Sequence, residues 1–168
     1  ENITKLNLDI AFKNYIFNYV NMNHTTYNVK DKYYCVPTEI TSKRGIICSK
    51  PHDSKAFALG EIGSAGLFST LEDLNIFAKS IIDNDGKIIS KESLNMLINI
   101  NIGNRTLGWD KKYGKYILYH TGFTGTSILI NLKSKEALII LTNRIHPNRY
   151  NTKFLELREE INKIFIGE

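Results

Sequence analysis

From Lys115 to Asn143 the chain reads "KYILYHTGFTGTSILINLKSKEALIILTN", three apolar or alternating β-branched runs separated by short polar or glycine-containing breaks. The break "KSK" is too short for the crossover that parallel strands need, so the runs around it must pair antiparallel. The three runs are Lys115 to Tyr119, Thr126 to Leu132 and Glu136 to Asn143, and Gly108 with Trp109 is expected in a strand before them. Within the third run "ALIIL" is apolar at every position, which reads as a strand covered on both faces. A sheet of this kind needs helices against it, and the rest of the chain must supply them.

Helical periodicity is present on both sides of the sheet segment. "LNLDIAFKNYIFNYV" carries Leu8, Phe12, Ile16 and Tyr19 at steps of four and three, with Asp9 and Lys13 as an i,i+4 pair on another face. In "GSAGLFSTLEDLNIFAKSIIDNDG", Ser69 with Glu72, or Thr70 with Asp73, has capping-box spacing. Leu74, Phe77, Ala78 and Ile81 then line one face until "NDG" stops the helix near Asp83. Ser90 is expected to cap a shorter helix whose apolar side is Leu94, Leu97 and Ile98. A last helix is predicted from Asn151 to Phe165, buried along Phe154, Leu157, Ile161 and Ile164 or Phe165. Between Asn21 and Ala56 periodicity disappears. A β-like run at Tyr33, Tyr34, Cys35 and Val36 and breaks at Pro37, Gly45 and Pro51 predict a long ordered loop with one or two short strands. The expected class is α+β, a single unit over residues 1–168 with an antiparallel sheet flanked by helices.

Composition narrows the function classes. The net charge of +5 is scattered rather than gathered into a basic stripe, which sets nucleic-acid binding aside. No apolar run approaches the roughly 20 residues of a membrane span. Cys35, Cys48, His24 and His52 have no CxxC or HxxxH spacing, so no metal or other cofactor is expected. "GSAG" at Gly63 to Gly66 is too short for a nucleophile elbow, and "GWDKKYGKY" fails the phosphate-loop spacing.

The chemistry-bearing stretch is "HTGFTG". A Thr-Gly step at a strand end lets backbone N–H groups face an approaching ligand, as an oxyanion site requires. His120 at the same edge supplies a donor or acceptor near neutral pH. "YHTGFTGTSILINL", followed by "ALIILTNRIHPN" and preceded by "GSAGLFSTLEDLNIFAKSI", resembles the C-terminal part of the serine β-lactamase, penicillin-binding-protein and class C-like esterase superfamily. "YYCVPTE" with Arg44, Gly45, His52 and Asp53 resembles the loop region of its esterase-like members. The resemblance implies a partial serine β-lactamase/DD-peptidase-like fold and a site in which His120 organises the proton network. Thr121 and Gly122 would meet the substrate carboxylate, the Phe123 amide would be an oxyanion donor, and Asn143 and Asn148 would border the pocket.

Departures from the family pattern are equally specific. None of the serines has Lys three residues on, so the family's Ser-x-x-Lys nucleophile is not found. "YVN" at Tyr19 to Asn21 matches the letters of the Tyr-x-Asn element but closes the first helix. Glu61 and Ser64 stand where relatives commonly carry Gly and His. With Glu1 rather than Met as the first residue, the sequence reads as a cut piece lacking an N-terminal portion that holds the nucleophile. On that reading the isolated piece is inactive, and its exposed sheet edge or helix face meets the missing portion or a second copy. The resemblance implies an acyl substrate (a β-lactam, a D-amino-acid peptide or an ester), no cofactor, and a place in a bacterial cell envelope. The alternative is a non-catalytic module that binds cell-wall peptide in the same groove.

Overall fold

The computed structural model describes residues 2–30 and 35–168. Its centre is a five-stranded antiparallel sheet whose strands neighbour one another in chain order. Strands β3 (Arg105–Thr106) and β4 (Trp109–Asp110) form a short hairpin beside β5 (Ile117–Thr121), which is followed by β6 (Ser127–Asn131) and β7 (Glu136–Ile140). The expected meander is therefore present, with its first strand displaced by two residues so that His120 and Thr121 are its last members. Gly108 lies in the turn between β3 and β4, at φ 78°.

Alternation along the strands sorts the core. Leu118 and Ile130 face one way, against Ala78, Ile81, Leu94 and Leu97 of helices α4 (Leu71–Asp83) and α5 (Lys91–Asn99). Ile117, Tyr119 and Leu129 face the other way, toward Phe165 and Ile166 of α6 (Lys153–Ile166). Both faces of β5 and β6 are thus closed. β7 is not buried on both faces as its apolar run suggested. It is the terminal strand of the sheet, and Ala137 to Ile140 are only half-buried because no strand covers its far side among the described residues.

The helix caps follow the sequence. Thr70 accepts the Asp73 amide at the start of α4, Asn84 ends that helix in the left-handed region, and Ser90 accepts the Ser93 amide at the start of α5. Two predicted stripes are corrected. The first helix is α1 (Leu8–Phe12), a π-helical turn (Lys13–Phe17) and α2 (Asn18–Val20). The π turn adds a residue to the repeat, so Phe17 and Val20 point inward while Tyr19 is exposed. In α6, Leu157 and Ile164 are exposed, and Asn162 is fully buried with its Nδ2 donating to the Tyr113 hydroxyl at 3.0 Å. The inner face of α6 is therefore turned by about one residue toward Asn162 and Phe165.

The segment between the first helix and α4 is built from polar joints. Strands β1 (Ile40–Thr41) and β2 (Gly45–Ile46) form a short hairpin, so the loop has two short strands as expected but not at the β-like run, where Cys35 and Val36 are outside any strand; α3 (Ser54–Leu59) was not expected, and Asp53 caps it by accepting the Ala56 amide. Tyr33 and Tyr34 of the β-like run lie outside the described residues. Buried Asp9 accepts from the Tyr27 amide and the Thr26 hydroxyl and pairs with Lys13 at 2.6 Å, tying α1 to the loop. Glu61 accepts the Asp9 amide at 2.8 Å, so its carboxylate serves the first turn of α1.

Glu39 joins this segment to the end of the sheet. Its buried carboxylate accepts from Arg149 Nε at 2.9 Å and Nη2 at 2.6 Å and from His52 Nε2 at 2.9 Å. The backbone continues the joint: the Ile40 amide donates to the Pro147 carbonyl at 2.8 Å, and His146 Nδ1 donates to the Thr38 carbonyl at 2.7 Å.

Two outcomes follow from this packing. Leu118→Ala opens a cavity between the sheet and α4, and its cost of about 2–5 kcal/mol is read from chemical denaturation. The second concerns acid. The bonds from Arg149 first, and from His52, hold the Glu39 carboxyl at about 2 instead of its ordinary 4.5. A lowered folded-state value means that the stabilisation is complete above pH 4.5 and is lost as pH falls toward 2. Melting temperatures taken across that window should fall more steeply for the wild type than for Glu39→Gln, which starts lower at neutral pH.

Candidate active site

The end of β5 places His120 and Thr121 at the open side of the sheet. β4 pairs with β5 only through Asp110 and Tyr119, so the two residues beyond that pair have no neighbour on the β4 side among the described residues. On the other side they are held in register, His120 opposite Ile128 and Thr121 opposite Ser127. Both are exposed, and together with Arg105, Asp110 and Tyr119 they line a shallow depression of about 120 Å³.

The turn after β5 is fixed by its glycines. Gly122 donates to the Thr126 carbonyl at 2.7 Å, and Gly125 donates back to the Gly122 carbonyl at 3.1 Å. A Cβ on Gly122 would lie 2.3 Å from Thr126 Oγ1, so a larger residue there would have to turn the Thr126 hydroxyl aside. Gly125 sits at φ 118°, and a Cβ there would come within 3.0 Å of the Arg144 amide nitrogen. That closeness is used: Thr142 Oγ1 donates to the Gly125 carbonyl at 2.7 Å, and the Arg144 amide donates to the Thr124 carbonyl at 3.0 Å. The turn is thereby locked to the segment that follows β7. Within it, the Phe123 amide donates to no acceptor among the described residues.

The Phe123 side chain is 55% exposed yet well contacted. The His52 ring stacks on it at 5.5 Å and 16°, and the guanidinium carbons of Arg144 and Arg149 lie 4.7 and 5.7 Å from its centroid. Arg144 is buried, donating to the Arg149 and Asn151 carbonyls, and its Nε has no partner among the described residues.

The two asparagines divide. Asn143 Nδ2 donates to the Pro37 carbonyl, pinning the 37–41 segment beside the site, while its buried Oδ1 is unpaired among the described residues. Asn148 is exposed and accepts the Tyr150 amide at 3.1 Å, the arrangement of an Asx turn. The structure thus brings His120, Thr121, Gly122 and Phe123 together at one strand end with Asn143 behind the turn, and gives Asn148 a local backbone partner.

Sequence reasoning assigned no role to Glu39, His52 or Arg149, although the first two lie in the blocks "YYCVPTE" and "HD". Arg149 is 110 positions from Glu39, and no spacing rule connects residues that far apart. Arg44 and Asp53 of the same blocks are structural here: Arg44 donates to the His52 carbonyl and lies over the Phe57 ring at 3.7 Å, and Asp53 is the cap of α3.

With this geometry in place, comparison with known proteins is informative. Residues 1–163 match the family model described as Beta-lactamase. Among solved structures, the chain resembles the unliganded selenomethionyl simvastatin synthase (LovD) from Aspergillus terreus, with a TM-score of 0.67 at 15% identity over 92% of this chain and 49% of that one. It also resembles the octameric penicillin-binding protein homologue from Pyrococcus abyssi, with a TM-score of 0.57 at 17% identity over 95% of this chain and 38% of that one. The chain therefore spans about half the length of the first and less of the second, and at these identities the likeness shows the fold. No curated protein matches the sequence.

One expectation is overturned. The sequence was read as only the C-terminal part of such a protein, but the family match begins at residue 1 and runs through nearly the whole chain. The reading failed because it took the absence of one motif, Ser-x-x-Lys, as a boundary, while the resemblance itself was spread over blocks from the first loop to the last helix. The chain belongs to the beta-lactamase family.

Proposed function

We propose that residues 120–123 form the oxyanion and substrate-binding edge of an acyl-transfer site that works through an acyl-serine, as a hydrolase or an acyltransferase. The observation that carries this reading is the Phe123 amide, unpaired among the described residues, in a turn whose two glycines and cross-bonds leave it little freedom. Oxyanion stabilisation needs such a preset donor aimed at the place where charge develops. Beside it, exposed His120 can move a proton to or from the reacting group, and Thr121 can donate its hydroxyl to a substrate carboxylate. Arg105, in the same depression, adds a positive charge that suits an anionic substrate group. A β-lactam, a D-amino-acid peptide or an ester each presents the carbonyl that this edge would polarise.

None of the serines of residues 1–168 has Lys three residues on, so this reading leaves the acylated serine unassigned. The same observation favours a second reading, in which the groove binds a cell-wall peptide without acyl transfer.

Intact-mass labelling of the full-length protein with a fluorescent penicillin and a fluorophosphonate separates the two. Acyl transfer predicts an adduct, formed about 100-fold more slowly in His120→Ala and about 10-fold more slowly in Thr121→Ala. A folded wild-type protein that takes neither label sinks the acyl-transfer reading and leaves the groove as a binding site.

A further inference from the structure

Phe123 presents a difficulty for any site that uses its amide. Its side chain is more than half exposed, so burial does not set the orientation of the peptide that carries the N–H. What contacts the ring is a linked polar set. His52 stacks on it, and Arg149 and Arg144 approach it as cations. His52 and Arg149 are both hydrogen-bonded to the one Glu39 carboxylate, Arg149 through two of its nitrogens. Arg144 reaches the same turn through the backbone, its amide bonded to the Thr124 carbonyl.

Glu39 is 6% exposed and its oxygens are engaged by these two side chains, so it is placed to act through them and not on a substrate. The pair with Arg149 fixes a long side chain that would otherwise sweep many rotamers, and the bond from His52 sets the plane of the ring that stacks on Phe123. Resting on the oxyanion role of the Phe123 amide, we propose that Glu39 is a positioning residue for that amide. It holds His52 and Arg149 as one unit against the Phe123 ring and so keeps the 122–125 turn in the orientation that presents the N–H to developing negative charge. An amide displaced by about 1 Å costs an oxyanion site on the order of 100-fold in rate, so a clamp on the neighbouring ring has a catalytic consequence although no atom of Glu39 meets substrate.

A role confined to holding the fold together would lower stability and leave the chemistry of surviving molecules unchanged, so the test reads both. In the full-length protein, Glu39→Gln, Arg149→Ala and Arg149→Lys are compared with wild type for acylation kinetics and for hydrogen exchange of the Gly122 and Gly125 amides, which are hydrogen-bonded within the turn. Arg149 is half exposed, so Arg149→Ala gives a folded variant even where a change at buried Glu39 does not. The expected result for Arg149→Ala is a fall in kcat of about 10- to 100-fold with KM within about threefold of wild type, faster exchange at Gly122 and Gly125, and recovery of most of the rate in Arg149→Lys. Unchanged kcat and unchanged exchange in folded variants would overturn the proposal, as would a rise in KM with kcat intact. If the wild type shows no acylation, the acyl-transfer reading falls by itself. Exchange then decides the positioning role: faster exchange of the hydrogen-bonded Gly122 and Gly125 amides in Glu39→Gln or Arg149→Ala supports it, and wild-type protection rejects it.

Discussion

The register between β5 and β6 is the constraint on which the other features depend. Leu118 opposite Ile130 and Tyr119 opposite Leu129 send their side chains to opposite faces, each closed by different helices. With β5 held in place, a slip of one residue would turn Leu129 toward α4 and α5 and send Ile130 round to α6. Because both faces are packed, only one register is compatible with burial, and that register carries His120 and Thr121 past the end of the β4 pairing into the open. The location of the site is therefore a by-product of how the core closes. Its two polar residues are displayed because the three before them are buried.

A second kind of constraint operates where apolar packing gives out. The 37–53 segment has few buried apolar side chains, Ile47 among them, and is held to the sheet end by Glu39, by His146 on the Thr38 carbonyl, and by Asn143 on the Pro37 carbonyl. Polar joints are directional, which a wall beside an active site needs, and they are costly to leave half made. Asn143 and Arg144 show that cost: Asn143 Oδ1 and Arg144 Nε are buried without a partner among the described residues. Both lie beside the turn after β5, while Asn84, Thr106 and Asn162 carry such atoms elsewhere in the fold.

How much of this was legible in the sequence depended on the distance over which each signal acts. Thr70 and Ser90 announced their helices because a cap and its amide lie three residues apart. The β5–β7 meander was visible because alternation and a three-residue turn are local. Tyr19 was misplaced because a π turn leaves no mark in a period of 3.6 residues, and Leu157 and Ile164 were misplaced because a fully buried Asn162 is indistinguishable in sequence from a solvated one. α3 was missed because a six-residue helix directly after Pro51 offers little periodicity beyond its Asp53 cap. At the site, His120, Thr121, Gly122 and Phe123 were readable as one contiguous string. The Glu39 joint was not, since its partners are spread from position 52 to position 149.

These two constraints meet at Phe123. Its backbone belongs to the turn that β5, β6 and the two glycines define, and its ring belongs to the polar wall that Glu39 organises. A turn fixed only by the strands would still be free to rock about its two ends. A wall fixed only by charge pairs would have nothing rigid to lean on. Anchoring one residue in both systems removes the freedom that neither removes alone, and it does so with an aromatic ring, which offers a broad contact surface and loses little rotamer entropy on being held. The same logic accounts for an exposed aromatic beside the strand end. In the proposed acyl-transfer reading, Phe123 meets solvent because its amide has to reach a ligand.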